Sequence, residues 1–261
     1  MNTTTYRINL AGASGRMGKA MWPGLAEAPD VDVVGALSRQ AAPADLPWTT
    51  RWSADATTLL AESRPGDIWL DLTTGEAATA HVPLALEAGL RIIVGATGMA
   101  SSALDAWRAR LETHPGTVLV VPNFSLGAVL MMRFAEEAAR WLPDVAIIEG
   151  HHPAKRDAPS GTARRTAERI AASRGRAGKS LGDQQAMGLD VSGVPVHALR
   201  LPGLLAHQEV VFGGHGEVLT IRHDAMGREC FLPGLLLAIR GLDRVRGLAI
   251  GLEHVLGEGT K

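Results

Sequence analysis

His151, His152 and Lys155 fall within one short stretch and are followed by Asp157 and by Pro159-Ser160-Gly161-Thr162. Imidazole is the usual general acid or base near neutral pH, and lysine is a compact cationic donor. The set suits binding and protonation of an anion. Residues 145–148 lead in as an apolar run. Ala163, Ala167, Ile170 and Ala171 lead out at helical spacing, so Ser160 stands where a helix N-cap belongs. The charged residues are therefore expected on a strand-to-helix loop. A helix N-terminus offers unpaired N–H groups and partial positive charge to a carboxylate or phosphate. Gly161 lets backbone come close, and Ser160 and Thr162 add hydroxyls. The bland alternative is a capped helix behind a solvated basic loop, but local structure alone has no need of His-His-x-x-Lys.

A second glycine-rich stretch lies near the N-terminus. Residues 7–11 read as a short buried strand, Gly12-Ala13-Ser14-Gly15-Arg16-Met17-Gly18 follows at once, and a helix to about residue 28 and a strand at 31–37 come next. Gly12 would permit the tight turn, Gly15 the approach of a pyrophosphate, and Gly18 close helix–strand packing. The alternative is an ordinary βα turn, but the flanking strand, helix and strand are the context that dinucleotide binding requires. NAD-preferring domains usually place Asp or Glu at the end of the second strand, where Ser38-Arg39 stands here. Ser38 and Arg39 suit a 2′-phosphate, which a carboxylate would repel. The alternative for Arg39 is a solvated loop position.

The elements that must position these residues alternate. Strands are expected at 68–72, 91–94 and 117–121 and helices at 76–88 and 102–111, with Pro83 kinking or bounding its helix. Repeated βα units imply a parallel doubly wound sheet with its ligand at the strand C-termini. The loops after residues 72 and 94, and Pro122-Asn123-Phe124-Ser125, should then face a cofactor. A long helix over 126–142 is apolar all round, with Met131 and Met132 read as packing. Residues 176–193 are polar and glycine-rich and read as a long loop. Strand-like segments at 194–201, 208–212 and 217–223, with a hairpin-like break at 213–216, suggest an antiparallel second domain beginning near Asn123. An apolar helix at 231–242 would return to the first domain. His197, His207, His215 and His223 share no ligand spacing, and only His223, taken with Arg228, is excepted from a surface or packing role.

The chain has 261 residues, 46% hydrophobic and 20% charged, enough for one good core or two smaller ones. Aromatics are 4%, so the core is aliphatic. A net charge of -1 argues against a general nucleic-acid or acidic-membrane binder, so any anion site is local. Cys230 is alone, which excludes a disulfide framework and a cysteine zinc cluster. No apolar run is long enough to span a membrane and no signal-peptide core opens the chain, so the cytoplasm is expected.

The segment His151-His152-x-x-Lys155-x-Asp157-Ala158-Pro159-Ser160-Gly161-Thr162-Ala163 closely resembles the active-site segment of the dihydrodipicolinate reductase family. The resemblance extends over nearly the whole chain through Gly12–Gly18, Asp71-Leu72-Thr73, Gly95-Ala96-Thr97-Gly98, Asn123-Phe124-Ser125-x-Gly127 and His223-x-Ala225-x-x-Arg228. It implies an α/β protein. A Rossmann-type dinucleotide domain would span 1–122, completed by 232–261. An α+β substrate-binding and oligomerisation domain on a mixed or antiparallel sheet would span 123–231. Family members are usually homotetramers built through that sheet. The implied reaction is NAD(P)H-dependent reduction of the dicarboxylate 4-hydroxy-tetrahydrodipicolinate in lysine and diaminopimelate biosynthesis, with NADPH expected, NADH as the alternate, and no metal. His151 would be the general acid/base and Lys155 the proton donor, poised by neighbouring cations. His152, Gly161 and Thr162, with Ser160, would hold substrate carboxylate. Gly12, Ala13, Ser14, Gly15, Arg16, Met17, Ser38, Arg39, Gly95, Ala96, Thr97, Val121, Pro122, Asn123 and Phe124 would contact the cofactor. Three positions depart from the family: Ala96 where Thr is frequent, Val129 where Asn is usual, and Ser38 where many members are acidic. Another Rossmann-type reductase of an amino-acid intermediate stays open. So does a nucleotide-sensing protein that lost catalysis, though its expected mark, a broken His151 or Lys155, is missing.

Overall fold

The structure is a computed structural model and describes residues 4–44, 50–175 and 185–257. The chain divides into two compact units, Met1–Phe124 with Phe231–Lys261, and Ser125–Cys230.

The first unit opens on β1 (Tyr6–Ala11), α1 (Arg16–Glu27) and β2 (Val31–Leu37). β3 (Arg51–Ser53), α2 (Ala56–Ala61), β4 (Ile68–Asp71), α3 (Gly75–Glu87), β5 (Arg91–Val94), α4 (Ser101–Thr113) and β6 (Thr117–Val120) follow. The last segment adds α7 (Leu232–Gly241) and β12 (Gly247–Ile250). Seven strands form one parallel sheet in the order β12-β6-β5-β4-β1-β2-β3. Strands covered on both faces are apolar over most of their length, as Ile68, Trp69 and Leu70, all at 0% exposure, illustrate. One core joins Trp69, Ile92 and Val118 to Leu59 of α2, Val82 of α3 and Trp107 of α4. The order reverses between β1 and β4, so the turns after these two strands flank a topological switch point.

The second unit runs α5 (Leu126–Ala138), β7 (Asp144–His151), α6 (Gly161–Ser173), β8 (Leu189–Val191), β9 (Val194–Arg200), β10 (Ala206–Gly214) and β11 (Glu217–Ala225). Its sheet is mixed: the order is β11-β10-β7-β9-β8, with β7 and β9 parallel and the other neighbours antiparallel. α5 and α6 pack on each other, α5 also on β11 and α6 on β9. Period-two alternation sends Ile147 and Glu149 of β7 and Gln208, Val210 and Phe212 of β10 inward, all buried. Burying Phe212 contributes about 2–3 kcal/mol.

Several expectations change. Pro83 does not bound its helix, because α3 runs through it from Gly75 to Glu87. α5 stops at Ala138, short of residue 142, and Phe134 and Trp141, at 55% and 78% exposure, are not core. The loop expected over 176–193 lies outside the described residues as far as 184. Beyond that, a 3-10 turn (Gln185–Met187) and β8 replace it, β8 pairing with β9. β3, α2 and β12 have no counterpart in the sequence reading. All three are short, and their pairing partners are supplied by the sheet.

Candidate functional site

In the first unit, Gly12 follows β1 at φ +86°, and a Cβ there would stand 2.9 Å from the Leu72 carbonyl carbon and oxygen. A Cβ on Gly18 would lie 2.3 Å from Gly12 O, so α1 starts against its own turn only because that residue is glycine. Gly15 is the N-cap of α1 and supplies no side-chain cap. The first-turn N–H groups, which have no intrahelical acceptor, are thus left for an anion. Arg16 opens the helix and is exposed, and Met17 is half-buried. Ala13 is buried, and its N–H donates to Leu37 O at 3.3 Å. Ser14 and Ser38 share a hydrogen bond of 2.5 Å between hydroxyls, and Ser38 Oγ also accepts from Gln40 N at 3.0 Å. Arg39 is exposed beside them, and among the described residues no carboxylate pairs with it. A cavity of ≈ 340 Å³ adjoins this turn, lined by Ser14, Lys19, Trp22, Gln40 and Trp52 among others.

The other strand ends converge on the same edge. Gly95 N donates to Asp71 O at 2.8 Å, and a Cβ on Gly95 would stand 2.6 Å from the Phe124 ring and 2.7 Å from Leu72 Cδ2. Ala96 and Val121, at 3% and 0% exposure, can offer a ligand only their backbone. Thr97 and Pro122 are exposed and Asn123 is half-buried. The turn after β4 is held by Asp71, buried at 0% exposure. Its carboxylate accepts from Thr73 N at 3.0 Å, the Thr73 hydroxyl and Trp69 Nε1 at 3.1 Å, and meets His81 Nδ1 at 2.8 Å. His81 was not singled out by the sequence.

In the second unit, His151 is the last residue of β7, so it sits on the strand and not on the loop. Its Nδ1 lies 2.6 Å from Glu149 Oε2. Glu149 is fully buried and also meets Arg200 Nη1 at 3.1 Å, Arg200 Nη2 at 3.0 Å and Ser160 N at 3.1 Å. Burial would raise the Glu149 pKa, but the bonds from His151, Arg200 and Ser160 N outweigh it and hold the carboxyl below its ordinary value. Arg200 further donates to Lys155 O at 3.3 Å and Asp157 O at 2.6 Å, tying down the loop. Lys155 Nζ donates to Asp157 Oδ1 at 2.9 Å, so its nearest charged partner is an anion, not the expected cations. That bond, against the cost of burial, lowers the Asp157 pKa.

Ser160 caps α6, its Oγ accepting from Ala163 N at 3.2 Å. Gly161 is exposed with open space where a Cβ would stand, Thr162 O accepts from the Thr166 hydroxyl at 2.8 Å, and His152 is half-buried. The structure thus gathers His151, Ser160 and the start of α6 around one buried carboxylate, and ties the Lys155 carbonyl to it through Arg200. Glu149 and Arg200 carried no role in the sequence reading. A lone acid after four apolar strand residues, two positions before His151, is the signal that could have marked Glu149. Arg200 gave none, because it reaches His151 only through the β7–β9 register. His223 Nε2 lies 3.0 Å from Ser125 Oγ at the N-cap of α5. Val129 is buried in α5 and serves packing. Among the described residues no group of His, Cys, Asp or Glu is arranged to hold a metal.

A glycine-rich turn on a doubly wound sheet, carried with a separate unit that holds His151, Lys155 and the start of α6, fits the plan of a nicotinamide-dependent oxidoreductase. The N-terminal and C-terminal profiles of dihydrodipicolinate reductase match residues 6–124 and 127–256. The 4-hydroxy-tetrahydrodipicolinate reductase of Moorella thermoacetica is 44% identical, with 97% of this chain and 98% of that protein covered. The enzyme of the same name from Streptomyces griseus is 42% identical over 96% and 97%. A solved structure, dipicolinate-bound dihydrodipicolinate reductase from Paenisporosarcina sp. TG-14, superposes with a TM-score of 0.85 at 34% identity, covering 97% of this chain and 100% of that one. The chain belongs to the dihydrodipicolinate reductase family.

Proposed function

We propose that this protein reduces 4-hydroxy-tetrahydrodipicolinate to tetrahydrodipicolinate with NADPH, NADH serving less well, in lysine and diaminopimelate biosynthesis. The observation that carries the reading is the contact of His151 and the α6 N-terminus with Glu149, with the Lys155 carbonyl held by Arg200 of the same cluster, on a chain 44% identical to a reductase of that name. Loss of water from the substrate leaves a conjugated imine, and net addition of a hydride and a proton completes the reduction. The nicotinamide supplies the hydride when bound. Gly12 to Met17 would hold its pyrophosphate, and Ser38 and Arg39 its ribose phosphate. Gly95 to Thr97 and Val121 to Phe124 would line its nicotinamide end, largely through backbone.

His151 acts as general acid/base, and Lys155 donates a proton. His152, Ser160, Gly161 and Thr162 hold a substrate carboxylate at the α6 N-terminus, where the dipole and free N–H groups favour negative charge. The dipicolinate bound in the Paenisporosarcina relative is a dicarboxylate of this shape. No metal enters the scheme. The second sheet is the surface on which we place a homotetramer, and the cytoplasm is where the reaction would run. Among the described residues no helix is long and apolar enough to cross a membrane. A coupled assay with purified aldolase, aspartate semialdehyde, pyruvate and each nicotinamide tests the reading. NADPH oxidation dependent on all components is expected, and no oxidation above the aldolase-free control would overturn it.

A further inference from the structure

Glu149 has no step of its own in that chemistry, yet it is the one charged residue of the second unit, among the described residues, that is fully buried. We propose that Glu149 is a positioning residue that keeps a proton on His151 Nδ1, so that Nε2 is the atom that exchanges protons with substrate, and that Arg200 sets how strongly His151 feels the Glu149 charge. The proposal rests on the reading of His151 as general acid/base.

Four polar contacts reach the Glu149 carboxylate, from His151 Nδ1, Arg200 Nη1, Arg200 Nη2 and Ser160 N. The guanidinium and the amide can only donate, and an ionised carboxylate can only accept. The hydrogen in the 2.6 Å contact therefore belongs to Nδ1. Nε2 is left with its lone pair, or with the second proton of the imidazolium. The arrangement comes from the strand: residues 149 and 151 share a face, and Arg200 stands directly across from His151 in the parallel β7–β9 pair. Through Arg200 the same carboxylate fixes the carbonyls of Lys155 and Asp157, and through Ser160 N it fixes the start of α6.

Charge decides the sign of each substitution. Glu149 and Arg200 balance one another while His151 is neutral, and protonation of His151 leaves the cluster one charge positive. Further charged or titratable groups on the same elements include His152 and Arg156, Lys155 and Asp157, paired on the loop, and Arg165 and Arg164 of α6, the last with its Nη2 3.5 Å from Ala158 O. β10 sets the uncharged Gln208 across from Glu149, and its His207 pairs with Asp224. Glu149→Gln removes the anion and disfavours imidazolium, whereas Arg200→Gln removes the competing cation and favours it.

The test is 15N NMR of histidine-labelled full-length protein, with His151 assigned by loss of its signals in His151→Gln, together with pH–rate profiles. The wild type should show the proton on Nδ1, and Glu149→Gln should populate the Nε2–H tautomer and lose kcat by about 10²-fold or more with KM little changed. The pH–rate limb should move to lower pH in Glu149→Gln and to higher pH in Arg200→Gln. Glu149→Asp, which keeps the charge, should restore part of kcat and is the fallback should Glu149→Gln not fold. An unchanged tautomer, or limbs moving the same way in both variants, would overturn the proposal. Full turnover in His151→Gln would overturn it together with the reading beneath it. An essential His151 with a wild-type Glu149→Gln would remove the positioning proposal alone.

Discussion

Arg200 and Glu149 are 51 residues apart in sequence, yet both terminal guanidinium nitrogens of Arg200 reach the Glu149 carboxylate, at 3.1 and 3.0 Å. That two-toothed bond is the joint between β9 and the stretch that carries His151 and Lys155, and the acid–base chemistry proposed for the second unit depends on it.

Variants of the two groups proposed to transfer protons should fail in turnover rather than in cofactor binding. His151→Gln and Lys155→Ala are each expected to lower kcat by about 10²–10⁴-fold, the usual range for general acid–base groups. NADPH affinity should stay near the wild-type value, because the glycine-rich turn lies in the other compact unit. Steady-state kinetics and an NADPH fluorescence titration check both halves. Near-normal turnover in either variant would strike that residue from the mechanism.

Thr162→Ala should raise KM more than it lowers kcat, since a carboxylate anchor binds ground and transition states alike. Loss of kcat at constant KM would assign Thr162 to the chemistry instead.

Cofactor choice should turn on Ser38. It is buried at 6% exposure and bonded to Ser14 and Gln40, with exposed Arg39 next in the chain. Ser38→Glu places a carboxylate where a ribose phosphate would lie and should shift kcat/KM toward NADH by tenfold or more, about 1.4 kcal/mol. The ratio of the two kcat/KM values, measured before and after, decides. An unmoved ratio would refute the role.

Two glycines should respond in opposite ways to alanine. Gly18→Ala drives a Cβ to 2.3 Å from Gly12 O and 2.6 Å from Ala13 O, both backbone atoms that have no room to yield. We expect a loss of about 1–3 kcal/mol, as for an overpacked site, with weakened dinucleotide binding. Gly161→Ala meets nothing within 4 Å and should change the unfolding free energy, from urea titration, by no more than about 0.5 kcal/mol. Comparable destabilisation in the two would contradict the packing described.

Stability of the second unit should fall in two pH windows. Burial, with help from His207 and against Asp224, lowers the His223 pKa below its ordinary 6.5. As pH falls through 6.5 the unfolded chain takes up that proton first, so stability drops until the folded-state value is passed. The Glu149 pKa is lowered despite burial, so its contribution is whole above the ordinary carboxyl value of 4.5 and is lost as pH falls through the folded-state value. Urea midpoints from pH 8 to 3, for wild type and His223→Gln, test this. The upper step should vanish in the variant and the lower one remain. A step near 6.5 that persists in the variant would assign it to another group.

Features whose cause lies within a few residues were legible from the amino-acid order. β2 and β5 have the limits that their apolar runs suggest, and Ser160 caps α6 where an apolar period begins after a small hydroxyl residue. The turn after β1 was legible because Gly12 takes φ +86° and a Cβ on Gly18 would stand 2.3 Å from Gly12 O, two demands set inside the turn itself. The Met131–Met132 pair was readable as packing for the same reason of local pattern, and both are buried.

Tertiary structure alone decided where distant segments meet. β12 joins the sheet edge beside β6, although 126 residues separate Val120 from Gly247, and nothing in Gly247–Ile250 marks it as a strand without that partner. Asp71 finds His81, Ser125 finds His223, and Glu149 finds Arg200 only once the strands are in register. A helix cap or a glycine turn is settled by sterics and hydrogen bonds along a few peptide units. Strand order and the partners of a buried carboxylate are settled by which arrangement removes most apolar surface from water while leaving every buried charge paired, a sum taken over the whole chain.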